Sequence, residues 1–180
     1  MKYGFWIPVL LSWLMSIVIL PGLALAQDAP GEGSRLPTAG GRFEVSGVMG
    51  LVNFPDESSQ YHVLVGGTAR IRIACGLGFA PEFTYMYYSR QDRDLVFLPN
   101  VTYEFRRGKR VVPYFIGGVG ILNHRETWDH FDWSATGRFI SGGFGTKISL
   151  RSRIFAAAEA RIGWEPHIRV TGSLGYVLAK

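Results

Sequence analysis

From Arg42 onward, apolar and polar residues alternate in eight successive runs, and a period of two makes each run a β-strand with two unlike faces. The runs lie near 42–52, 61–73, 77–88, 95–105, 111–123, 138–149, 154–164 and 167–178. In the second, Tyr61, Val63, Val65, Ala69, Ile71 and Ile73 oppose His62, Gly66, Thr68, Arg70 and Arg72. In the seventh, Ile154, Ala156, Ala158, Ala160 and Ile162 oppose Glu159, Arg161 and Gly163. Only the fifth, VVPYFIGGVGILN, leaves open which residues belong to which face.

Alternation alone does not say which face is the interior. A soluble ligand-binding barrel turns its apolar row inward and its charged row to water. Here the polar row is mostly Gly, Ser, Thr and Ala with scattered charges of both signs, whereas a water-facing sheet carries many Lys and Glu. The interior of an eight-stranded barrel suits small residues and a few paired charges. Tyr61, Tyr85, Tyr87, Tyr103, Phe105, Trp164 and Tyr176 fall on the apolar row, most of them towards strand ends, where membrane barrels carry aromatic girdles. Nearly every run reaches the ~9–11 residues that a tilted membrane strand needs. The apolar row is therefore expected to face lipid. Closure follows, because lipid cannot satisfy an open sheet edge. A soluble periplasmic ligand-binding barrel is the second reading.

Register carries a magnitude. Slipping the seventh strand by one residue would turn Glu159 and Arg161 to lipid, and a basic residue at the midplane costs ~2–4 kcal/mol.

The connections alternate in character. Those at Ala74–Gly76, Arg106–Arg110 and Arg151–Arg153 are tight, whereas Asn53–Gln60, Ser89–Asp94 and His124–Gly137 are longer and polar. Short turns on one side and longer loops on the other is the asymmetry of outer-membrane barrels, with the connection at Glu165-Pro166 short for its side.

Residues 1–26 carry Lys2, a long apolar stretch and the ending Ala24-Leu25-Ala26, which is the pattern of a cleaved signal peptide. Residues 27–41 are rich in Gly and Pro and are expected to be a flexible periplasmic lead-in, leaving 42–180 as the barrel. The net charge of +5 comes from scattered basic residues, which is no footprint for nucleic acid. Cys75 is the single cysteine, so no intrachain disulfide staples the fold.

Ionisable residues expected in the lumen are Glu44, His62, Arg70, Arg72, Glu82, Glu104, Lys147, Glu159, Arg161 and Arg169. They form either a pathway for small ions or, the preferred reading, a paired network that fills a narrow bore. The segment NHRETWDHFDW, with His124, Trp128, His130 and Trp133, is a candidate interaction loop. Its His124, Glu126, Asp129, His130 and Asp132 are metal-ligating residue types, but their spacing fits no standard site, so no metal or cofactor is expected. No serine stands one or two positions from a histidine, so no catalytic pair is visible and a lipid-modifying enzyme ranks third.

With the eight-run layout and phrases such as PYFIGGVGIL and RFISGGFGTKISL in place, the span Gly41–Lys180 resembles the outer-membrane β-barrel family that includes the small outer-membrane protein A and X type barrels. The resemblance implies an all-β, closed antiparallel up-and-down transmembrane barrel. It also implies lipid as surroundings and the barrel-assembly machinery as a partner in biogenesis. That machinery typically reads a terminal aromatic residue, and this chain places Tyr176 four residues before its end.

Overall fold

The computed structural model describes residues 43–55, 60–88, 92–105, 109–128, 131–164 and 166–179. The expected signal peptide and lead-in lie outside them, as do Asp129, His130 and the side chain of Trp128. The strands are β1 Phe43–Phe54, β2 Gln60–Ala74, β3 Leu77–Tyr87, β4 Asp92–Glu104, β5 Val111–Trp128, β6 Phe131–Ser149, β7 Ile154–Trp164 and β8 His167–Ala179. Each pairs antiparallel with its sequence neighbours, and β8 pairs with β1, so the sheet closes without an edge.

The β2–β3 turn shows how tightly one end is closed. Cys75 (φ 45°) and Gly76 (φ 93°) both take the positive φ of a two-residue hairpin turn whose twist matches its strands. Pro81 and Pro99 sit opposite one another in β3 and β4, where neither can donate to the ladder. Side chains from inside the barrel compensate. Asn100 Nδ2 donates to the carbonyls of Ala80 and Leu98 at 3.0 Å each, and Thr68 Oγ1 donates to that of Pro81 at 3.0 Å.

The barrel is inverted relative to a soluble one. Trp164 is 74% exposed, Leu174 62% and Val101 57%, while Lys147 is fully buried. Most of the charged side chains on the strands point in and the outward row is apolar, as the sequence predicts for a lipid-facing row. The fifth strand, open at the sequence level, resolves in the same sense. Val112, Tyr114, Ile116 and Leu122 face inward; Phe115, Val119 and Ile121 face outward.

Two expectations are corrected. His124–Gly137 is not a long loop: β5 and β6 run on through it in continuous register to the Trp128↔Phe131 pair. And β4 begins at Asp92, so Asp92 and Asp94 belong to a strand rather than to the preceding loop. Outward positions turn from apolar to polar at Asn123, Arg125 and Arg138, which marks the upper limit of the apolar belt. On β5 that belt runs from Val111 to Ile121. At ~3.3 Å per residue and a tilt of roughly 35–45°, this is about 25 Å tall, the height of the apolar band on a membrane barrel.

Candidate functional site

Inward-facing side chains stack in three tiers. The lowest, near the short turns, is ionic. Lys147 Nζ donates to both carboxylate oxygens of Glu44 at 3.0 and 3.1 Å and to Glu104 Oε1 at 2.6 Å. Arg72 donates to Glu104 Oε2 at 2.9 Å, and Arg70 lies 3.5 Å from Glu104 Oε1 and 3.9 Å from Glu44 Oε2. The Arg70 guanidinium also covers the Tyr114 ring, 4.5 Å from its centroid. Tyr114 donates to Glu159 Oε1 at 2.5 Å. Arg161 donates to Glu159 through both Nε and Nη2, to Glu82 Oε2 at 3.0 Å and to Asn100 Oδ1 at 3.2 Å. Arg169 completes the chain on Glu82 Oε1 at 2.5 Å.

Backbone register explains how so many long side chains fit. Arg161, Glu159 and Lys147 stand across from small partners, in the pairs Gly143↔Arg161, Gly145↔Glu159 and Lys147↔Ala157. Gly145 is required by close approach. A Cβ there would meet Tyr114 Cζ at 2.7 Å, so its absence makes room for the phenol that donates to Glu159. On the other side Arg161 pairs directly with Arg169, a like-charge juxtaposition that costs stability alone. Glu82, from across the barrel, takes one guanidinium on each oxygen and reconciles them.

Above this network the lumen is mainly apolar, with buried His167 stacked on Phe139, ring centroids 4.4 Å apart. Val48, Val52, Leu64, Met86, Val96, Leu98, Leu122 and Phe139 pack into one buried cluster, with Phe54 against it. The expectation of a lumen lined by small and charged residues is corrected here. On β1, β2 and β4 both faces are apolar at this level, which blurs the alternation.

The third tier lies at the mouth opposite the short turns. The inward ring of His62 meets Phe54 edge-on, centroids 5.1 Å apart, and Tyr88 at 5.2 Å. Its Nε2 faces Asp92 Oδ2 at 3.4 Å. His124 Nδ1 contacts Asp94 Oδ1 at 2.6 Å and Asp92 Oδ1 at 3.7 Å, with Trp133 edge-on to the His124 ring, centroids 5.5 Å apart. These groups stand at and above the upper limit of the apolar belt. Burial pushes the Asp94 carboxyl up against the opposing hydrogen bond and charge of His124. Burial alone would lower His124, but the hydrogen bond and charge of Asp94, with Asp92 and Glu126 beyond, hold the ring above its ordinary range.

All ten sequence-predicted lumen residues therefore face inward, and nine share one network. His62 does not. It belongs to the mouth, and the sequence reading missed its companions Asp92 and Asp94 there. Tyr114 and Asn100 were also missed from the network. The parity of Val96 could have placed Asp94 and Asp92, two and four positions up the same face. For Tyr114, beside Phe115, the sequence offered no such signal. Of the candidate interaction loop, His124 turns to the mouth and Trp133 stands against it.

No protein-family model matches the sequence, and neither does any curated protein. Solved structures do. The N-terminal β-barrel domain of Pseudomonas aeruginosa OprF superposes with a TM-score of 0.61 at 15% identity, covering 76% of this chain and 98% of that one. Neisserial surface protein A gives 0.62 at 11% identity, covering 74% and 94%. Ail, the attachment invasion locus protein of Yersinia pestis, gives 0.53 at 13%, covering 74% and 95%. The chain shares the fold of these small eight-stranded outer-membrane barrels.

Proposed function

We propose that this chain is an integral protein of the bacterial outer membrane, a non-enzymatic barrel with a structural or surface-interaction role whose lumen is plugged by its own side chains. The observation that carries this reading is the radial inversion. A belt of exposed Val, Ile, Leu and aromatic residues surrounds an interior in which four glutamates are engaged by arginine and lysine. In water that belt would leave an apolar surface around the whole molecule, far beyond what a soluble monomer tolerates. In lipid it is the required surface, and the closed ladder leaves no open sheet edge there. The fold shared with outer-membrane barrels supports the same placement.

The interior supports a plug rather than a pathway. Carboxylates and cations already paired with one another offer no free path for an ion, and the mainly apolar tier lies across the same bore. The contacts available to partners are then on the surface, above all on the projecting part of β5 and β6.

Single cysteines at Val65, Phe83, Phe144 and Ala158, in a Cys75→Ser background, test the placement. In membranes each is expected to resist a water-soluble maleimide and to react with a lipid-dissolved probe. Free reaction with the water-soluble reagent in the folded protein would return the chain to the soluble ligand-binding reading.

A further inference from the structure

We infer that His62, Asp92, Asp94 and His124 form a binding site for one divalent transition-metal ion of the zinc type at the outer mouth of the barrel. The four residues come from three strands, β2, β4 and β5, so no linear motif announces them. Antiparallel pairing assembles the site: β4 runs down between β3 and β5, Asp94 lies directly opposite His124, and Asp92 opposite Glu126. His62 reaches across from β2, where it pairs with Val52 of β1.

The geometry is close to what the ion needs. One ligand atom from each of His62, Asp92 and Asp94 lies within 4.8 Å of the other two. Zinc bonds of about 2.0–2.2 Å to imidazole nitrogen and carboxylate oxygen set tetrahedral ligands roughly 3.3–3.6 Å apart. His62 Nε2 stands 3.4 Å from Asp92 Oδ2 and His124 Nδ1 stands 3.7 Å from Asp92 Oδ1, so each imidazole is near that spacing from its own oxygen of the one carboxylate. The 2.6 Å between His124 and Asp94 is a hydrogen bond with a proton between the two atoms. An entering ion displaces that proton to solvent, and the two ligands open by less than an ångström.

A second observation points to a ligand rather than to a self-contained ion pair. Asp92 Oδ1, the oxygen nearest His124 Nδ1, is itself buried and accepts no hydrogen bond, and it belongs to the carboxylate that faces His62, a ring buried to within 1% of its surface. A polar ring fixed between Phe54 and Tyr88, with a carboxylate left unsatisfied beside it, is costly unless something completes it. Two imidazoles and two carboxylates suit zinc, whereas magnesium and calcium favour all-oxygen shells. Side-chain exposure of 27% at His124 gives the ion a route from outside. Beneath the site lies the apolar cluster, so the ion is a terminal ligand that ties β2, β4 and β5 together, not a transported one.

Protein expressed without a polyhistidine tag, purified in detergent and stripped with chelator, should bind one Zn2+ per chain in a calorimetric titration. Cobalt(II) at the same site should give the intense visible bands of four-coordinate geometry. His124→Gln and Asp94→Asn should each weaken Zn2+ binding by at least the roughly 10–100-fold seen when an outer-shell partner is removed. Asp132→Asn, a carboxylate on the projecting part of β6, should leave it unchanged. Absence of stoichiometric binding overturns the site, as does an affinity that neither variant moves or that Asp132→Asn lowers equally. Should a variant not fold, the cobalt spectrum of the unmodified protein decides, since pale six-coordinate bands exclude the four-ligand cage.

Discussion

Glu82 holds two arginines that the ladder forces together, and this residue-level arrangement explains why the ionic tier acts as a unit. Arg161 and Arg169 are direct cross-strand partners, and without a shared counter-charge their repulsion would act against the β7–β8 pairing. Arg161 in turn is the hinge of the network, because it bonds Glu82, Glu159 and Asn100 at once. Removing one member of a buried pair costs about 3–5 kcal/mol, mainly because the partner stays buried and charged. Arg161→Ala is accordingly expected to lower the stability of the detergent-folded barrel by that amount in urea titrations. Changing Glu159 to Gln in the same chain should recover part of the loss, since Glu82 keeps Arg169 and no orphan acid remains beside Tyr114. A double variant no more stable than Arg161→Ala would show that the contacts are incidental. At this scale the sequence was informative about direction and silent about partners. Parity placed Glu82, Glu159 and Arg161 inward, but which acid meets which base depends on reach across the bore. Lys147, which stands one inward position from Glu159 across the β6–β7 pair, takes Glu44 and Glu104 instead.

Among the elements, β5 and β6 stand apart, because they continue beyond the apolar belt as a two-stranded ribbon. From Asn123 to Trp128 at ~3.3 Å per residue, it adds roughly 20 Å of strand. The sequence concealed it for a physical reason. Alternation is imposed by the contrast between lipid outside and a packed lumen inside, and above the belt both faces meet water. Residues such as Arg125, Glu126, Asp132 and Ser134 then show no period although the backbone pairing is unbroken. The same logic hides the apolar tier, where Leu64 beside Val65 and Leu98 beside Phe97 leave both faces apolar. A ribbon outside the belt should contribute little to barrel stability. Replacing Arg125–Ser134 by Asn-Gly joins the facing pair His124 and Ala135 through a favoured two-residue turn. The trimmed chain is expected to fold in detergent with an unfolding free energy within about 0.5 kcal/mol of the parent, as for changes away from the core. Failure to fold would place the ribbon among the elements that hold the barrel together.

For the whole molecule, the decisive feature is that two unlike obstacles lie in series along one bore. The lower is ionic, anchored by Glu44, Glu82, Glu104 and Glu159; the upper is apolar, built on Leu64, Leu98 and Phe139. An ion crossing the first would have to break charge-assisted hydrogen bonds that are individually strong. Crossing the second means shedding hydration in a space lined mainly by apolar side chains. If the lumen is plugged as proposed, each barrier alone suffices, and opening one does not open the path. The unmodified protein in a planar bilayer is therefore expected to show no steady current. Leu64→Ala with Leu98→Ala, which thins the apolar tier, should stay silent because the ionic tier remains. Arg161→Ala should stay silent because the apolar tier remains, even though it destabilises the fold. Only the combination of both sets should produce measurable, fluctuating conductance in whatever fraction still folds. A steady, ion-selective current in the unmodified protein, changed by Arg161→Ala without loss of stability, would make the charged residues the lining of a channel. The proposed plug would then be wrong, and the apolar cluster would have to be read as a gate.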